Sequence, residues 1–270
     1  MHTEYFFIHG YWPIFFCLAF SFTIFAVIGL YLTLRYVSQD FREQHNELNS
    51  YGLATISIFS AVLMAFVAVA AWEKYENAQE AVSQEAQYLS DIIRGSLVLP
   101  QPLGSIMREK GSIYLELVVH KEWPAMGKKE VDFNSGWEQL SDLYFQMSKF
   151  KSSDPTVQVI FSDLFQKLNN LSDARRSRIL LSHRHFPPIM WCAVFVSAIF
   201  NIIFLFLFGM RSKRMHYAMT IFISMVIGCI FALIVSFDRP FQHSMSVSPD
   251  PFTSIDANYK SYQKRYDAKH

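Results

Sequence analysis

The chain has 270 residues, 24 Lys and Arg against 23 Asp and Glu, 16% aromatic residues and a positive mean hydropathy. A near-neutral, apolar, aromatic-rich composition without a basic patch excludes a disordered or nucleic-acid-binding class and points to a membrane. Cys17, Cys192 and Cys229 all fall in apolar stretches, so no disulfide framework or zinc cluster is predicted for a water-soluble part, and they read as small apolar fillers.

Four stretches, residues 5–34, 48–72, 185–210 and 215–237, lack Asp, Glu, Lys and Arg, and each is long enough to span a bilayer as a helix. The predicted fold class is all-α: a polytopic membrane protein with four transmembrane helices and a helical soluble bundle between the second and third. Residues 1–72 form the first transmembrane hairpin, 73–186 the bundle, 187–241 the second hairpin and 242–270 a polar tail. The first span starts near Pro13, with Tyr11 and Trp12 at interfacial depth. The preceding residues carry no Lys or Arg and no small-residue cleavage site follows, so it reads as a retained span and not a signal peptide. The connecting segment holds Asp40, Glu43, His45 and Glu47, and is read as a capping loop with Asn49 or Ser50 as N-cap, not as a cation site.

Residues 51–99 contain no proline and read as one helix of roughly 70 Å, more than twice the hydrocarbon thickness. Its apolar half has a thin side, Ala54, Ser57, Ala61, Ala65 and Ala68, opposite a thick side, Ile56, Phe59, Leu63, Phe66 and Ala70. In water the thin side continues as Trp72, Tyr75, Val82, Ala86, Leu89, Ile93 and Leu97, and the thick side as Lys74, Asn77, Gln84 and Tyr88. The thin side is expected to pack on protein, because small residues four apart allow close helix approach in lipid.

The sequence Leu99-Pro100-Gln101-Pro102 stops this helix. A helix over 103–122 follows, with Ile106, Ile113, Leu117 and Val118 inward, ending at Trp123-Pro124 before a loop. The next helix, 136–150, carries Trp137, Leu140, Leu143, Tyr144 and Met147. Asp154-Pro155 opens a fourth with Val157, Ile160, Leu164, Leu168, Leu171 and Ile179 toward a core. Pro187-Pro188 precedes the third span, and the basic turn MRSKRMH joins it to the fourth. The tail's alternation of Tyr and Lys reads as a short solvated segment lying on the bundle, not as a nucleic-acid site.

With four spans, both termini and the bundle share one side of the membrane. Arg35, Arg42, Arg211, Lys213 and Arg214 lie on the hairpin side, against Lys74, Arg175, Arg176, Arg178, Arg184 and Arg239 on the other. Weighting short loops, this count puts the hairpins in the cytoplasm. No P-loop, dinucleotide fingerprint, zincin motif, nucleophile elbow or CxxC occurs, so no catalytic residue, metal site or cofactor is predicted. Arg175, Arg176 and Arg178 would ring an anion path in a vestibule, but a charge run on a membrane-proximal helix reads first as a solvated or headgroup-binding face. Asp238 and Arg239 are expected to pair with other segments, since adjacent helical residues do not face each other. No charged residue lies deep in a span, which argues against an ion-coupled pump.

HNEL (His45 and Asn46 within it), the AF…AAWEKY run across the second span's exit, LPQP, EWPAM, ARRSR, FPPIMW, FDRPF (Asp238, Arg239 and Pro240 within it) and SVSPDPF occur in this order. In these motifs, over about residues 41–252, the chain resembles the bacterial bestrophin-like family of unknown function, and more distantly the bestrophins. Bestrophins are pentameric anion channels whose second span lines the pore and whose soluble helices form a cytoplasmic vestibule. The resemblance therefore implies a multi-pass protein of the bacterial inner membrane with the bundle and termini cytoplasmic, opposing the charge count. It implies a homo-oligomer, a pentamer by analogy, with the lipid bilayer and small ions as partners and no nucleic acid. The calcium-clasp pattern of animal bestrophins is missing. Together with the facing argument it nominates Ile56, Phe59, Leu63 and Phe66 as pore-lining rings, and Trp72, Glu73, Lys74, Tyr75 and Asn77 as exit residues. Small anions are the expected cargo, although Glu73, Glu76 and Glu80 would repel them if they faced the axis. The alternative is a membrane-anchored scaffold or sensor whose bundle binds a partner. Phe204 is expected to face lipid.

Overall fold

The computed structural model describes residues 2–255 apart from Lys129, Phe133, Ser135 and 243–245, with side chains from Phe15 onward. The described residues are helical and irregular, without strands. The helices are α1 (His2–Tyr36), α2 (Gln39–Gln44), α3 (Asn46–Gly95), α4 (Leu103–Leu117), α5 (Trp123–Lys128), α6 (Trp137–Ser148), α7 (Pro155–His183), α8 (Pro188–Phe206) and α9 (Lys213–Asp238). Four of them, α1, α3, α8 and α9, are long and apolar enough to cross a membrane. The chain divides into two compact units: one holds residues up to Lys74 and His185–Arg239, the other Tyr75–Arg184, Pro240–Gln242 and the chain from Ser246.

In the first unit α1 packs chiefly along α9. Gly228 makes the contact possible, because a Cβ there would lie 2.6 Å from the carbonyl oxygen of Ala19. Close approach at small residues gains packing contacts that lipid cannot supply to a helix. Phe22, Phe195 and Phe231 fill the space beside it with centroids 5.1–6.4 Å apart. Pro13 lies inside α1 and not in its first turn, since the helix begins at His2. Cys17 and Cys192 are exposed on the outside of this unit, so they are not core fillers.

The loop after α1 also differs from expectation. Ser38 caps α2, accepting from the Phe41 amide, and α3 already begins at Asn46. Asn49 is thereby inside α3, where it is buried and donates to the Phe204 carbonyl, so it is not an N-cap. Phe204 in turn packs on Gly52 and is half-buried, which corrects its lipid-facing reading.

The second unit is a helical bundle whose core joins Val82, Leu89 and Ile93 of α3 to Met107 and Tyr114 of α4, Leu140 and Leu143 of α6, and Leu164, Leu168 and Leu171 of α7. Asp154 caps α7 by accepting from the Thr156 amide, with Pro155 at the first helical position. The inward face of α4 is rotated from the predicted one: Met107, Gly111 and Tyr114 are buried and Ile113 is exposed. Trp123-Pro124 does not end this region. A π-helical turn, Val118–Glu122, lets the Trp123 amide reach the Val118 carbonyl, and the helix resumes as α5. The widened turn leaves room for a proline that would clash with a regular preceding turn. Trp137, expected inward, is exposed on α6. The start of the tail is core and not solvated: Phe252 is wholly buried with Val247 and Ile255, and sits against Trp123 at 6.1 Å. Burying a phenyl ring contributes about 2–3 kcal/mol, enough to hold this segment in place. The Tyr and Lys alternation lies outside the described residues.

Candidate functional site

The apolar half of α3 buries one stripe within its unit: Ser60, Met64, Val67 and Ala71. At about 100° per residue this stripe lies between the thin and thick sides and belongs to neither. Polar bonds fix its rotation. Asn201 of α8 accepts from Ser57 at 2.7 Å and donates to Ser60, and Ser60 donates to the Ser197 carbonyl at 3.4 Å. Side-chain hydrogen bonds between helices in lipid hold a register that apolar contacts alone leave loose. The exposed arc opposite contains Phe59 (73% exposed) and Phe66 (72%) with Ile58, Val62 and Val69, and reaches Ala54, Ala61 and Ala65 on its other edge. Ile56 and Leu63 are half-buried on the flank. The four nominated ring residues thus divide into two at the open face and two beside it. The expectation that the alanine side packs on protein throughout does not hold within one chain.

Toward its exit the helix meets a polar clamp. The Lys74 ammonium donates to Asp238, at 2.7 Å from Oδ1 and also to its backbone carbonyl, and lies 5.5 Å over the Phe186 ring. Asp238 accepts from the Phe186 amide at 3.1 Å, and the His185 ring stands 3.8 Å from its second oxygen. Asp238 thus pairs across segments as expected, while Arg239 is exposed and the buried Pro240 accepts from the Val247 amide at 2.7 Å. Lys74 is sequestered in this pair and does not front the medium as the thick-side reading had it. Trp72 stacks edge-on to Phe237 at 5.1 Å, Tyr75 is half-buried, and Glu73, Glu76, Asn77 and Glu80 are exposed. Asn77 and Glu80 border an open groove of about 360 Å³ with Gln84, Ser177 and Arg184.

The arginine run corrects the sequence reading most. Arg178 is wholly buried in the bundle, donating twice to Glu85 at 2.6 and 2.9 Å and once to Glu122 at 2.6 Å. Arg175, also buried, donates to the other Glu122 oxygen at 2.7 Å. The Tyr114 hydroxyl donates a hydrogen bond to Glu85 at 2.6 Å. Burial acts against the charge of Arg178, but the carboxylates of Glu85 and Glu122 outweigh it and hold the guanidinium more firmly protonated than in water. Burial, reinforced by Glu85, pushes the Tyr114 phenol well above its ordinary value. Only Arg176 of the run is exposed. Arg175 and Arg178 are therefore neither a solvated face nor free charges for an anion path. Glu85, Glu122 and Tyr114 escaped the sequence reading, although Glu85 falls three residues after Val82 and four before Leu89, in the phase of the apolar stripe. Two acids and two arginines at inward helical positions were the available signal.

On the hairpin side, Asn46 brackets Gly209, donating to its carbonyl at 2.9 Å and accepting from its amide at 2.8 Å. A Cβ at Gly209 would lie 2.4 Å from the Glu43 backbone nitrogen, so only glycine fits. The His45 Nδ1 bonds the Phe41 carbonyl, one turn back, at 2.7 Å. No group of three or more potential metal ligands occurs among the described residues.

A family model described as bestrophin-like domain matches residues 20–252. No curated protein sequence matches the chain significantly. Two crystal structures of variants of a bacterial bestrophin homologue from Klebsiella pneumoniae share the fold. One superimposes with a TM-score of 0.68 at 11% identity, over 89% of this chain and 98% of that one. The other gives 0.67 at 12% identity, over 89% and 97%. A crystal structure titled as a membrane protein gives 0.66 at 11% identity, over 89% and 96%. The domain match over most of its length, on an all-helical fold with four membrane-length helices, shows that the chain belongs to the bestrophin-like family.

Proposed function

We propose that this protein is the pore-forming subunit of an oligomeric ion channel, with several copies of α3 arranged around a central axis. The observation that carries the reading is the exposed apolar arc of α3, which leaves Phe59 and Phe66 uncovered while Asn201 fixes the helix's rotation. In such a ring the alanine edge at Ala54, Ala61 and Ala65 packs on the neighbouring copy, and Phe59 and Phe66, flanked by Ile56 and Leu63, narrow the path. An apolar constriction holds a pore dry until it widens, because an ion stripped of water without replacement ligands is costly to place there.

The resemblance brings small anions as cargo and a pentamer as assembly, with bundle and termini cytoplasmic in the bacterial inner membrane. The exposed carboxylates of Glu73, Glu76 and Glu80 follow on the same helix, and Lys74 is neutralised by Asp238. A mouth lined by those carboxylates favours cations, so the reading adopted is a pore for small ions with cations preferred at that mouth. Purified protein in liposomes should conduct, and Phe59→Ala and Phe66→Ala should raise the flux, whereas Phe222→Ala, at an exposed position of α9, should not. Absence of flux above empty liposomes, in wild type and both variants, removes the channel reading and leaves a membrane-anchored bundle.

A further inference from the structure

We propose that the turn between α8 and α9 is a binding site for the phosphate of an anionic lipid headgroup. The turn carries Arg211, Lys213 and Arg214, all exposed, and residues 185–237 contain no Asp or Glu. Beneath it lies Arg42, only 4% exposed, which donates to the Phe208 carbonyl at 3.0 Å and leaves its buried Nε without a partner. No carboxylate within the described residues pairs with Arg42. Asn46 and the Gly209 contact fix α2 against this turn, so the guanidinium's position is set by backbone packing.

The charge of Arg42 also reaches His216, in the first turn of α9, whose ring is committed to the Leu205 carbonyl at 2.8 Å. A buried cation, the amide end of a 26-residue helix and three exposed cations therefore act at one end of the unit. The positive end of a helix dipole adjacent to a buried guanidinium that has no carboxylate in contact raises the local potential, and an anion relieves it. Asp40, Glu43 and Glu47 on the facing connection lower the net charge, and Glu43, hydrogen-bonded to the neutral Gln39 at 2.9 Å, keeps its charge and acts on Arg42 through space. The turn joins two membrane-length helices, so lipid headgroups are the phosphates available at its depth.

The test is native mass measurement of the full chain from nanodiscs of phosphatidylglycerol or phosphatidylcholine, with inorganic phosphate alone in detergent as a further arm. Phosphatidylglycerol adducts should persist where phosphatidylcholine and free phosphate leave none. Arg211→Gln/Lys213→Gln/Arg214→Gln, all at exposed positions, should weaken retention on the order of a hundredfold, at about one kcal/mol per basic residue. Arg42→Gln should weaken it also, and helical content checks that this variant folds. Equal retention of both lipids, adducts unchanged in the triple variant, or retention of free phosphate as strong as that of the lipid would each overturn the proposal. None of these readouts depends on conduction.

Discussion

Replacing Arg178 by Met should strand one carboxylate in the bundle, Glu85, and take one of two guanidinium bonds from another, Glu122. Glu122 keeps Arg175 at 2.7 Å, but Glu85 loses both of its guanidinium bonds and retains only the Tyr114 hydroxyl at 2.6 Å. Since Glu85 is wholly buried, Arg178→Met should cost about 3–5 kcal/mol, the range for a buried pair that loses one partner. Arg176→Met, two residues away and exposed, should stay within about 0.5 kcal/mol. Adding Glu85→Gln to Arg178→Met restores neutrality and should recover about 2 kcal/mol or more, a coupling that independent sites never show. Amide hydrogen exchange in detergent micelles, read on peptides from residues 78–95 and 164–183, reports the opening free energy. A single variant within about 1 kcal/mol of wild type, or a double variant in which the two losses simply add, would refute the account of this core.

The Tyr114 phenol is pushed up in the folded bundle, so the unfolded chain loses its proton first; this group should contribute a loss of stability above about pH 10 of about 1.4 kcal/mol per unit, and Tyr114→Phe should make the alkaline slope shallower by that amount in the same exchange experiment. Asp238→Asn removes the carboxylate to which the nearly buried Lys74 ammonium donates and should lower stability by about 3 kcal/mol, measured as the temperature of aggregation in detergent. Ala65→Trp, at an exposed position on the alanine edge, should leave the single chain folded and break the assembly, so native mass spectra should shift to smaller species. Reporters fused after His270 and inserted beside Lys213, with the one membrane-length helix α9 between them, should give opposite topology signals, and matching signals would overturn the four-span topology.

Much of this molecule is local. The absence of charge over four stretches, the missing proline between residues 51 and 99, and the Asp154-Pro155 cap each act through short-range chemistry, so the four membrane-length helices, the continuous α3 and the start of α7 were legible. The ordered motifs carried the family as well. What periodicity left undecided was rotation and pairing. A helix with apolar residues on both sides does not say which side its own chain covers, and α3 was turned by Asn201, a residue 141 positions from Ser60. Charges counted along the chain carry no sign of burial: Arg175 and Arg178 look like a membrane-surface run until Glu85 and Glu122 arrive from two other helices to pay the desolvation of both. Those partners, like Lys74 with Asp238 and Asn46 with Gly209, are brought together only when distant segments pack, because an ion pair or an interhelical hydrogen bond needs atoms within about 3 Å and sequence spacing fixes such distances only within one or two helical turns.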